Sequence, residues 1–74
     1  MVTHFTVRLR GYYRHQVDQL AERVQRALAG EDEPIKELRD DLDGAQFDIV
    51  LRGYAREEVD AAVRRWIQQL DARP

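Results

Sequence analysis

The sequence predicts an α+β fold in which a β-turn-α unit occurs twice around a short helical connector, in the order βα-α-βα. Two short strands pair into a small sheet, and two main helices pack on it about a pseudo-two-fold axis. Three observations predict this. The chain aligns with itself without a gap at a shift of 42 residues. Within each copy the apolar residues change from alternation to helical spacing. A glycine stands at each change, Gly11 and Gly53.

The repeat is the strongest signal. Residues 5–28 lie on residues 47–70 with ten identities in 24 positions. The pairs are Phe5/Phe47, Leu9/Leu51, Arg10/Arg52, Gly11/Gly53, Tyr12/Tyr54, Arg14/Arg56, Val17/Val59, Asp18/Asp60, Arg23/Arg65 and Leu28/Leu70, with Val7/Ile49 conservative. Such self-similarity means duplication. Two copies are too few for a solenoid, but they can share one core as an intrachain version of a symmetric dimer.

In the first strand Phe5, Val7 and Leu9 alternate with Thr6, Arg8 and Arg10, the pattern of a half-buried strand. Phe47, Ile49 and Leu51 alternate with Asp48 and Val50 in the second. Gly11 and Gly53 punctuate the strand ends and are expected to take a backbone conformation closed to other residues. Helices follow from about residues 14 and 56. Val17, Leu20, Ala21, Val24 and Leu28 share one helical face, as do Val59, Val63, Trp66, Ile67 and Leu70. Glu57 and Glu58 suit the first turn of the second helix. Gly30 closes the first.

The connector, residues 29–46, has its own signals. Pro34 behind Asp32 and Glu33 reads as a first-turn proline after acidic caps. Ile35, Leu38 and Leu42 share a face, and Asp43-Gly44 ends it, so a helix is expected over 34–42. A hairpin turned at Asp43-Gly44 is the alternative. It is disfavoured by the poor strand propensity of Glu37, Arg39, Asp40 and Asp41.

With 74 residues, a single domain is expected over residues 1–74. Stability in so short a chain is thin, and without cysteine there is no disulfide or thiolate metal site to add to it. A two-stranded sheet is marginal alone. Pairing with a second chain would help, so a homodimer is expected. No run approaches a transmembrane span. Met1 to Phe5 lacks the charged and apolar regions of a secretory signal. A cytoplasmic location is the default expectation.

Catalytic constellations are missing. There is no serine, and Thr3 and Thr6 lack a triad signature. Four isolated glycines make no phosphate loop. His4 and His15 are eleven positions apart, which is no standard metal spacing, and they read as surface residues. Asp40, Asp41 and Asp43 lack the regular ligands and closing glutamate of a calcium loop. The expectation is no enzyme, no cofactor and no metal. Arg10 with Tyr12 and Arg52 with Tyr54 could stack and touch phosphate. A pI near 5.6 argues against nucleic acid, which is not expected as a partner.

Charge is unevenly spread. Residues 1–28 carry +3, residues 29–48 carry −6 and residues 49–74 carry +1. Two mildly basic lobes flank an acidic connector. These are either solvated faces or a pointer to an anionic partner, such as phospholipid or a protein's acidic patch. Tyr12 and Tyr54 can simply cap the core with their hydroxyls at its edge. Asp18 and Asp60, in the first helical turns, can accept from arginines or backbone donors. Leu9-Arg10 and Leu51-Arg52 are different. An apolar residue beside an arginine at a loop tip can enter a bilayer interface while the arginine meets lipid phosphate.

The spacing Phe-x-x-x-x-Arg-Gly-Tyr-x-x-x-x-Val-Asp resembles the N-terminal domain of the DivIVA family, bacterial scaffolds of cell poles and division sites. Phe5, Arg10, Gly11, Tyr12, Val17 and Asp18 carry it, and Phe47, Arg52, Gly53, Tyr54, Val59 and Asp60 repeat it. The resemblance implies a dimeric domain that binds membrane through an exposed apolar residue and arginine at a tip. Those positions match Leu9-Arg10 and Leu51-Arg52, with leucine where some members have an aromatic residue. It also implies a protein partner in the division or growth machinery, and a peripheral place at the inner face of the cell membrane. Two features depart from the family. No long coiled coil follows either copy. The acidic residue after Gly-Tyr is replaced by Tyr13 and Ala55, which weakens the helix caps. A tandem chain of this kind is expected to act as a small adaptor.

Overall fold

A computed structural model describes residues 5–31 and 34–72. The elements are β1 (Val7–Tyr12), α1 (Arg14–Leu28), α2 (Ile35–Asp43), β2 (Ile49–Tyr54) and α3 (Arg56–Asp71). The α+β class and the βα-α-βα order are those the repeat predicts.

Both main helices start one residue after a poor cap. Tyr13 and Ala55 make no side-chain capping bond, as the missing acidic residues imply. Packing must supply what capping does not. Val17, Leu20, Ala21, Val24 and Ala27 are buried on α1, and Val59, Ala62, Trp66 and Leu70 on α3. Large and small residues exchange places between the copies. Leu20 and Val24 in one correspond to Ala62 and Trp66 in the other, so the duplicated face fills one core without symmetric crowding. Leu28, expected inside, is 40% exposed, and Ala27 is buried in its stead. Leu28 is the last residue of α1 and runs past the apolar cover. Val63 and Ile67 are half-buried at the core's edge.

The first helix stops in a Schellman motif. Gly30 has φ +82°, its N–H donates to Ala27 O, and Glu31 N–H donates to Arg26 O. At α2 the proline stands one position earlier than expected. Pro34 is extended, with φ −69° and ψ 99°, and caps a helix that runs Ile35–Asp43. Asp32 and Glu33, the expected caps, lie outside the described residues. No hairpin forms at Asp43-Gly44. The reason is burial, since Leu38 and Leu42 are 0% and 2% exposed on one helical face. Ile35, on the first turn, is 37% exposed. Leu38 and Leu42 join Val24, Ala27, Trp66 and Leu70 in one cluster, so α2 closes over both main helices. Arg39 grips Asp71 through two bonds of 2.6 and 3.2 Å, and Arg23 meets Asp41 at 2.8 Å. The Arg39 bond holds the Asp71 carboxyl below its ordinary range.

The strands pair within the one chain. Val7 faces Tyr54, Arg8 faces Gly53, Leu9 faces Arg52, Gly11 faces Val50 and Tyr12 faces Ile49. Numbers rise in one strand as they fall in the other, so the ladder is antiparallel. One further approach, Tyr12 to Tyr54, runs in the same sense. It marks a crossing. Tyr54 neighbours both ends of β1, although an extended six-residue strand would hold its ends about 17 Å apart. Each strand therefore bends back about its middle, at Leu9-Arg10 and Leu51-Arg52. Arg10 turns through the left-handed region with φ +57°.

Candidate functional site: a pair of crossed tips

The glycines make the crossing possible. A Cβ on Gly11 would lie inside the backbone of Gly53 and Tyr54, and one on Gly53 inside that of Gly11 and Tyr12. Both residues are buried within the strands rather than at their ends, and neither has a positive φ. Their glycine identity comes from close backbone approach, and the left-handed residue is Arg10.

Around the crossing, each module completes the other. Phe5 packs on Tyr54 and Tyr12 on Phe47, both with ring centroids 5.1 Å apart. Phe5 also meets the Trp66 edge at 6.5 Å. The Tyr12 hydroxyl donates to Asp60 at 3.0 Å, and the Tyr54 hydroxyl to Asp18 at 2.7 Å. These carboxylates, expected to accept from arginines or backbone, thus accept from the tyrosines of the opposite copy. Partial burial, then the carboxylate bond, pushes both tyrosine pKa values up from the ordinary 10.0. Val17 and Val59, both fully buried, sit one residue before the carboxylates. Backbone donors are shared out in the same reciprocal way. Thr6 N–H donates to Glu58 at 2.9 Å, and Asp48 N–H to Gln16 at 2.8 Å. The Thr6 bond holds the Glu58 carboxyl below its usual range. Gln16 and Glu58 occupy one repeat position. That shared position is the signal that could have revealed their role.

What remains outside this network is the pair of tips. Leu9 and Leu51 are 71% and 73% exposed, with Val7 and Ile49 at 45% and 51%. Arg8, Arg10 and Arg52 are exposed beside them. This corrects the expected half-buried alternation. The helices cover the far half of the molecule, and among the described residues nothing lies over the bend of either strand, so alternation there buries no face. Of the repeated residues, Phe5, Gly11, Tyr12, Val17, Asp18 and their counterparts Phe47, Gly53, Tyr54, Val59 and Asp60 hold the crossing together. Leu9, Arg10, Leu51 and Arg52 project from it. Val7, Ile49 and Arg8 belong to the same surface, and the sequence reading did not include them.

Among the described residues no group of acids and histidines is placed to hold a metal ion. His15 lies on the surface near the Tyr13 ring. Thr3 and His4 fall outside the described residues. Two open grooves related by the pseudo-two-fold flank the helices. One is lined by Phe47, Gln16 and Arg23, the other by Phe5, Glu58 and Arg65. Neither contains a hydroxyl, thiol or imidazole. No described helix is long and apolar enough to cross a membrane.

Comparison of the chain with protein-family models, curated proteins and solved structures finds no match.

Proposed function

We propose that this protein is a non-enzymatic docking module of DivIVA-like type. It is a small scaffold or adaptor in bacterial cell division or polar growth, and it meets an anionic membrane surface through Leu9, Arg10, Leu51 and Arg52. One observation carries the reading. Two leucines, 71% and 73% exposed, stand beside arginines on tips that a backbone crossing holds out. Scattered exposed leucines need no explanation, but an apolar group rimmed by cations at one end of a small protein does. Leucines in the headgroup boundary gain by burial. Each arginine near an anionic leaflet adds a favourable contribution that salt screens.

Co-sedimentation with vesicles tests this. The protein is expected to pellet with phosphatidylglycerol-containing vesicles, and less so as salt rises. Leu9→Ala with Leu51→Ala is expected to weaken pelleting at least about tenfold. Its folding stability should stay within about 0.5 kcal/mol, because the removed groups touch little of the fold. Unchanged pelleting of that variant ends the membrane reading. A second reading has its own support, since packing accounts for every repeated motif residue except the Leu-Arg pairs. In it the protein is an interaction module without lipid affinity. The wild-type protein would then stay in the supernatant with every vesicle.

A further inference from the structure

We infer that the two tips are not equivalent. The second, Ile49-Val50-Leu51, enters the apolar boundary of the bilayer, and the first reads headgroup phosphate through Arg8 and Arg10. This rests on the membrane reading and assigns different work to the two halves of that site.

The difference lies at one repeat position. Between the tips Val7/Ile49, Leu9/Leu51 and Arg10/Arg52 are conservative or identical, whereas Arg8 corresponds to Val50. The second tip thus carries three consecutive apolar residues, with Ile49 51% exposed, Val50 half-buried and Leu51 73% exposed. On the first, the apolar run is broken by a guanidinium.

Arg8 forms an ion pair with Glu57, on the first turn of α3. Its side chain is 56% exposed and that of Glu57 63%, so solvent screens the pair and it holds weakly. The counterpart of this pair at the other tip is Val50 with His15, which is no ion pair. An anionic surface repels Glu57 and attracts Arg8. Arg8 can therefore exchange a carboxylate for a lipid phosphate at little cost, since both are anionic oxygen acceptors for the same donors. Glu57 is the element that restrains the first tip until such a surface is near. At the second tip the position of Glu57 is taken by His15, and the acid beside Ile49, Asp48, is held by Gln16, whose Nε2 donates to it at 3.1 Å.

Binding to vesicles of pure phosphatidylcholine, and to equimolar phosphatidylcholine and phosphatidylglycerol, separates the two roles. Arg8→Gln, which removes the charge without extending the apolar run, is expected to weaken binding about fivefold on the anionic vesicles and to leave the neutral ones unchanged. Glu57→Gln should strengthen anionic binding by a similar factor. Leu51→Ala should weaken binding to both vesicles, and more than Leu9→Ala does. The indole introduced by Leu51→Trp should be quenched by chain-brominated lipid more than that introduced by Leu9→Trp. Equal losses for Leu9→Ala and Leu51→Ala, or an Arg8→Gln loss that ignores lipid charge, would overturn the inference while leaving the membrane reading intact. A wild-type protein that binds neither vesicle overturns both.

Discussion

The two ends of this molecule are held by opposite means. At the helical end Leu38, Leu42, Val24, Trp66 and Leu70 fill a common core. Side chains specify that end, and volume is what they must match. At the crossed end the strands meet backbone to backbone at Gly11 and Gly53, and Leu9 and Leu51 face solvent. Here the missing side chain is the specification. A residue's weight in this fold therefore cannot be read from its size. Two glycines support what two leucines do not.

The severest way to break this contrast is to add atoms at the crossing. Gly53→Val places a branched side chain where the Gly11 backbone runs. The cost is expected to exceed the whole stability of a domain of this size, about 5 kcal/mol, and far-ultraviolet circular dichroism should report an unfolded chain. A soluble, cooperatively melting Gly53→Val variant would show that the strands do not cross. Next in size is the removal of atoms from the other end. Leu38→Ala, fully buried on α2, should lower the urea-derived stability by about 3 kcal/mol, yet leave the tips exposed. Smaller again is the loss of the hydroxyls that tie the ends together. Tyr12→Phe and Tyr54→Phe should each cost about 1 kcal/mol.

Their pH dependence sharpens that last effect. Both tyrosine pKa values are raised in the folded state. The stability linked to them is fully present below the ordinary value of 10.0 and is lost as pH climbs through the folded values. Thermal melts above that point should therefore fall for the wild-type protein. They should fall less for the double phenylalanine variant, in which neither hydroxyl of the crossing remains.

The helical end was largely legible from the residues. Helical spacing places Val17, Leu20, Ala21 and Val24 on one face, and burial follows. Pro34, Gly30 and Gly44 mark ends to within a residue. The crossed end was not legible, for reasons of physics. Alternation is a local pattern, but burial depends on what lies above it, and Leu9 and Leu51 are exposed. A glycine can serve a left-handed turn or a close approach, and both look alike in one sequence. The repeat also hides its own partners. Tyr12 could have bonded Asp18 in its own copy, and only the crossing directs it to Asp60. A lone module would leave Phe5, Tyr12 and Asp18 unmatched. Those matches are made by the second copy of the same chain.

The connector over residues 29–46 has one more effect on the crossing. Two such modules on separate chains would meet at the bulk concentration of the protein, and dilution would part them. Joined by a short tether, they meet at an effective concentration in the millimolar range. The paired tips are then assembled in every folded molecule, whether copies are scarce or abundant.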